Sequence, residues 1–113
     1  MAAETASERR KYPRIPTDQV ISFAEIDHRD RLAVGTNFSI GGIRFETVGC
    51  EVNLCDVLRV TFNVADRTVV ATGNVVWATE IDPISLEVGF EFIEIDPLAL
   101  ELLEDVIQDE FEV

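Results

Sequence analysis

Two guanidinium groups, Arg10 and Arg14, stand four residues apart in the stretch Arg10-Lys11-Tyr12-Pro13-Arg14. Pro13 keeps this stretch from being helical, so both side chains can reach around one object. Guanidinium forks grip phosphate through paired hydrogen bonds and also stack on flat purine faces, so the matching ligand carries both features. Together with Arg9 and Lys11 they place four of the nine basic residues within six positions. Taken alone, the same spacing describes a solvated basic arm that balances local acid. A second candidate is Asn37-Phe38-Ser39-Ile40-Gly41-Gly42. A carboxamide and a hydroxyl beside a glycine turn can read a base edge or hold a phosphate oxygen. The competing reading is a strand corner in which Asn37 and Ser39 bond their own backbone.

These residues have to be positioned by a small scaffold. The chain has 113 residues, 47% of them hydrophobic and 27% charged, which suits one globular domain with a single core. Residues 1–8 are small and polar and read as a flexible segment, residues 9–108 as the domain, and 109–113 as a frayed acidic tail. Pro13 and Pro16 make the basic stretch an extended arm. Alternation then predicts strands over roughly 18–28, 32–36, 43–47, 57–64, 68–79 and 85–93, with His28-Arg29-Asp30-Arg31, Ala65-Asp66-Arg67 and Asp82-Pro83 as turns. The paired glycines Gly41-Gly42, which allow positive φ and close backbone approach, are read as a sharp turn, and Gly73 as a bulge. After Asp96-Pro97 the period lengthens to that of a helix, with Leu98, Leu102, Leu103, Val106 and Ile107 on one stripe, Asp96 as N-cap and Pro97 in the first turn. Six strands in a row and one closing helix predict an all-β barrel whose mouth or side the helix covers.

The two polar segments, in this order, make the chain similar to the PilZ domain family, whose pattern is R-x-x-x-R ahead of the barrel and [D/N]-x-S-x-x-G between early strands. Both are present in full, as Arg10 and Arg14, then Asn37, Ser39 and Gly42. The resemblance runs from about Glu8 to Ile107 and takes in the Val75-Val76-Trp77 and Gly89-Phe90-Glu91-Phe92 strands. It implies a six-stranded antiparallel PilZ-like barrel with a C-terminal helix that binds the bacterial second messenger cyclic di-GMP without chemical turnover. On that resemblance Arg10 and Arg14 contact phosphates and guanines, Asn37 and Ser39 hydrogen-bond a guanine, and Gly42 permits close approach. Arg9 is an added cation which, in the family, accompanies capture of a stacked ligand dimer and so implies two ligands per chain. Arg44 is a further candidate contact, outweighed by its reading as an ordinary exposed strand residue.

Charge and residue inventory exclude other classes. With 22 acidic against 9 basic residues the net charge is -13, which repels nucleic acid and anionic lipid at long range. No apolar run is long enough to span a membrane, and the chain is expected to be cytoplasmic. The only cysteines, Cys50 and Cys55, are read as reduced thiols, because a zinc site needs about four ligands and His28 is the sole histidine. No metal or cofactor is expected. Ser39 has no histidine other than His28 to activate it, Glu104 and Asp105 lie on the solvated helix face, and no Walker or Rossmann fingerprint occurs, which argues against an enzyme. The expected output is a change in the N-terminal arm on ligand binding that an unidentified effector protein reads. The alternative is a PilZ-like protein-interaction module that binds no nucleotide.

Overall fold

The computed structural model describes residues 14–25 and 29–111, with the side chains of residues 110 and 111 excepted. Arg9, Arg10, the segment 1–8 and His28 lie outside the described residues, as do the last two positions of the tail. Among the described residues there are seven strands, β1 (Ile15–Pro16), β2 (Val20–Glu25), β3 (Arg31–Phe38), β4 (Gly42–Val48), β5 (Val57–Val64), β6 (Arg67–Asp82) and β7 (Ser85–Ile95), followed by helix α1 (Pro97–Phe111). All pairings are antiparallel. The order β3-β2-β5-β6-β7-β4 closes on itself through β3–β4, giving a six-stranded barrel with β1 added beside β3.

Closure follows from the alternation. On β5, Leu58, Val60, Phe62 and Val64 are all buried while Val57, Arg59 and Asn63 are exposed. The same inward rows on β2, β4, β6 and β7 contribute Ile21, Phe23, Ile43, Phe45, Val69, Val75, Val88 and Phe90. Aromatic contacts knit the strands together: Phe23 lies 5.0 Å from Phe45, and Phe62 stacks on Phe92 at 5.9 Å, centroid to centroid. Each such pair adds about 0.5–1.5 kcal/mol to area burial.

The turns depart from expectation in instructive ways. β5 and β6 are joined by Ala65-Asp66, both at positive φ (48° and 63°), the backbone twist a two-residue hairpin requires even without glycine. Gly41 and Gly42 do not use the positive φ open to them; among the described residues Gly49 is the glycine that does (69°). The Asp82 carboxylate accepts a hydrogen bond from the Ile84 backbone N–H at 2.9 Å and shapes the β6–β7 turn. That bond draws the Asp82 pKa below its ordinary value. Gly73 does mark a register shift between β6 and β7. At the start of β2 the Gln19 carboxamide makes a reciprocal pair with the Asn63 backbone (2.9 and 2.7 Å), so a side chain replaces the ladder where the strand was expected to begin earlier.

Asp96 caps α1 through a bond from the Leu98 N–H to Oδ1 (2.8 Å), with Pro97 at the first helical position. Leu103 and Ile107 are buried, and Ala99, Leu102 and Val106 pack beside them. The inward stripe is thus the expected one except at Leu98, which is exposed: Ala99 occupies the core-facing place in the first turn. Burial of a Leu or Ile is worth about 1.5–3 kcal/mol each, enough to hold the helix against the barrel. The helix continues to Phe111, into the stretch read as a frayed tail.

Candidate functional site

The corner where the two polar segments meet is built by a strand of only two residues. β1 pairs with the end of β3 in the register Ile15↔Phe38 and Pro16↔Asn37. Both hydrophobic partners, Ile15 and Phe38, are buried, which anchors the arm. Pro16 can sit there because the strand is at an edge and its missing N–H breaks no ladder. The pairing continues through a bond from the Thr17 N–H to the Thr36 carbonyl and one from the Gly35 N–H to the Gln19 carbonyl, each 2.9 Å. One residue before Ile15, Arg14 therefore stands level with Ser39.

The Arg14 guanidinium uses this placement. Its Nε donates to Asn37 Oδ1 and its Nη1 donates to Ser39 Oγ at 3.4 Å, linking residues 23 and 25 positions away in sequence. Ser39 is buried, and its Oγ also accepts from the Gly41 N–H at 3.1 Å. The β3–β4 turn is tied further by a bond from the Ser39 N–H to the Gly42 carbonyl at 2.8 Å. Ser39 thus does bond locally, as a plain corner would, but Asn37 and Ser39 also both receive an arginine from a distant segment. The corner is rich in hydrogen-bond donors, which match phosphate oxygens and the N7 and O6 acceptors of guanine.

Gly42 is needed for packing. A Cβ there would stand 2.0 Å from the Phe90 carbonyl oxygen and 3.2 Å from the Glu91 Cα, both backbone atoms of β7. The close approach foreseen at this glycine is made by β7, and the Phe92 N–H reaches the Gly41 carbonyl at 2.9 Å. Of the six residues singled out by the sequence, Arg14, Asn37, Ser39 and Gly42 come together; Arg9 and Arg10 are outside the described residues.

Beside this corner lie two residues that sequence reasoning ranked low or missed. Arg44 is the direct cross-strand partner of Asn37, and across the sheet the row continues Arg44↔Gly89 and Gly89↔Trp77. Strict alternation from buried Val75 would send Trp77 into the core. The register instead passes from Val75↔Phe90 to Trp77↔Gly89, a bulge that turns the indole to the outer face. Gly89 makes room for it, since a Cβ there would meet Trp77 Nε1 at 2.2 Å. The Arg44 guanidinium sits over the indole, 5.3 Å from its centroid. Sequence reasoning had Arg44 only as a candidate contact outweighed by an ordinary strand residue, and Trp77 only as part of a strand; the bulge that turns its indole outward leaves no mark in the alternation.

A family model described as "PilZ domain" matches residues 8–109. The chain belongs to the PilZ domain family. Among solved structures this PilZ domain is similar to the Bacillus subtilis inhibitor of motility MotI/DgrA, at 21% identity and a TM-score of 0.72 over 90% of this chain and 51% of that one. It is also similar to the Borreliella burgdorferi PlzA protein in complex with c-di-GMP (13% identity, TM-score 0.64, 94% of this chain, 44% of that one). The PilZ domain with c-di-GMP of YcgR from Escherichia coli aligns at 17% identity and a TM-score of 0.65, over 89% of this chain and 90% of that one. The chain spans about half the length of MotI/DgrA and PlzA. No curated protein matches it. Among the described residues no helix is long and apolar enough to cross a membrane, no group of side chains is arranged to hold a metal ion, and Cys50 and Cys55 are free thiols.

Proposed function

We propose that this PilZ domain is a cytoplasmic receptor for cyclic di-GMP that transmits occupancy to a partner protein and turns over no substrate. The observation that carries the reading is the Arg14 guanidinium bonded to both Asn37 and Ser39, which joins the two halves of the family's motif into one donor-rich corner. In this reading Arg14 and Arg10 grip the phosphates and guanines, Asn37 and Ser39 bond a guanine edge, and Gly42 holds the β3–β4 turn close against β7. Arg9 adds a cation that recruits a second, stacked ligand. A chain at net charge -13 binds a doubly anionic ligand only where clustered cations overcome the overall field, and the arm carries four of them. Bending that arm over the nucleotide creates a new surface, an order-disorder switch for an effector protein to read.

Isothermal titration calorimetry of the purified protein with cyclic di-GMP, against GTP and cyclic di-AMP, tests the reading. Selective binding at micromolar affinity or better, with two ligands per chain, is expected. Absence of binding to cyclic di-GMP would overturn it and leave the protein-interaction module. Amide exchange in residues 5–16 should slow on ligand addition; equal rates with and without ligand would refute the switch.

A further inference from the structure

At the start of β6 the barrel wall is open on one side. β6 pairs with β5 from Arg67 onward, in the register Val64↔Arg67 to Val57↔Asn74, but its pairing with β7 begins only at Ala71↔Ile95. There β7 ends, and Asp96 turns the chain away into α1. Residues Arg67–Val70 are therefore a strand with one neighbour. In an antiparallel ladder alternate residues turn their N–H and C=O to opposite sides, so half of these backbone groups face the side that β7 does not reach. Among the described residues no backbone bond meets them there. Between this edge and α1 runs a groove of about 610 Å³. Its apolar lining is open to solvent, with Val70 on the strand 49% exposed and Leu98 on the helix 74%. Its rim is acidic, setting Asp96, Glu101 and Asp105 against one cation, Arg67.

We infer that this groove is a docking site for an extended, Lys/Arg-bearing segment of a partner protein, which adds to the free edge of β6 as a short strand alongside α1. Unpaired strand edges are templates for another strand, and proteins blunt them with charge, proline or extreme shortness. β1, which ends the sheet order, is two residues long and carries Pro16, whereas Thr68-Val69-Val70 carries neither charge nor proline. Alternate side chains of an arriving strand would cover Val70 and Leu98, and cations along it would meet the three carboxylates. A helical segment bonds its own backbone and cannot use the open edge. A second copy of this chain, itself at net charge -13, brings acid to an acidic rim and is repelled. The groove shares no residue with the Arg14–Asn37–Ser39 corner and is open with or without nucleotide.

The probe is the synthetic peptide Lys-Val-Arg-Val-Lys-Val-Arg, titrated into the full chain and followed by residue-resolved NMR and by fluorescence anisotropy of the labelled peptide. Expected are saturable shifts of the Thr68, Val69 and Val70 amides and slowed amide exchange along Arg67–Val70. Proline in place of the central valine removes a ladder donor, and affinity should fall by about fivefold. The peptide with Glu at every basic position should bind at least about tenfold more weakly. Val70→Lys, at an exposed position, should fold normally, treat cyclic di-GMP as the wild type does, and lose the basic peptide by about tenfold. Shifts scattered over the acidic surface, or equal affinity for the proline peptide, would show attraction by charge alone and overturn the docked strand. A dimer in sedimentation that Val70→Lys splits, without peptide shifts at the edge, would assign the groove to a second copy and overturn it as well. Peptide shifts at Thr68–Val70 in a protein that gives no heat with cyclic di-GMP would support the groove while ending the receptor reading. The proline comparison decides the matter on wild-type protein even if Val70→Lys fails to fold.

Discussion

On its inner face β4 presents Ile43, Phe45 and Thr47, at 0%, 0% and 1% exposure; on its outer face the same seven-residue strand presents Gly42, Arg44 and Glu46. Inside, neighbours are chosen by volume: Phe45 meets the Phe23 ring, and Ile43 is sandwiched by register between Phe38 and Phe90. Outside, the neighbours are polar or cationic contacts: Arg44 faces Asn37 on one side and leans over Trp77 on the other. Alternate residues of one strand thus answer to different physics. Substitutions one position apart should separate cleanly into losses of stability and losses of binding.

Gly42 is where that separation ought to fail, and it carries the largest expected effect. Although it lies on the outer face, a Cβ there collides with the β7 backbone, so Gly42→Val must push β4 from β7. We expect a loss above about 4 kcal/mol and no cooperative urea transition. A folded Gly42→Val that merely fails to bind nucleotide would move this residue to the ligand side of the comparison. Phe45→Ala should cost about 3–5 kcal/mol, read as a lowered denaturation midpoint, with ligand affinity unchanged once the folded fraction is accounted for.

Arg14→Ala is the converse. It removes charge-assisted bonds worth roughly 1.5–3 kcal/mol each in a ligand complex, so affinity for cyclic di-GMP should fall by about tenfold to a hundredfold. The thermal midpoint should shift by little, because Arg14 is partly solvated and the arm stays anchored by Ile15. A variant with full affinity would break the assignment of the corner. Thr47→Val is the smallest effect and has the opposite sign. The Thr47 hydroxyl is buried with no hydrogen-bond partner among the described residues, so its removal should raise stability by about 1 kcal/mol and leave binding untouched. A destabilised Thr47→Val would mean that the hydroxyl has a partner, such as a buried water.

How much of this could be read in advance depended on the range of the signal. The rows Leu58-Val60-Phe62-Val64 and Leu86-Val88-Phe90-Phe92 were legible because strict alternation survives where strands pair without a register shift, as β5 does with β6 and β7 with β4. The cap at Asp96 was legible because it is a contact between near neighbours. Arg14, Asn37 and Ser39 stood out as residue types, yet their meeting depends on β1, a two-residue strand containing a proline, which no periodicity can reveal. Trp77 was hidden for the opposite reason: its local pattern is regular, and a bulge set by the partner strand reverses its direction. Leu98 has helical spacing but precedes the point at which α1 meets the barrel, so its exposure is a matter of where the helix docks.

The most direct test of the central claim is residue-resolved chemical-shift mapping by NMR as cyclic di-GMP is titrated into the full chain. The account predicts that the large shifts gather at Arg14, Asn37, Ser39, Gly41 and the Trp77 indole N–H, with Val60 and Val69 in the core and Leu103 on α1 nearly still. Shifts concentrated instead in the groove between α1 and the start of β6, around Val70 and Leu102, with the Arg14–Asn37–Ser39 corner unmoved, would contradict it.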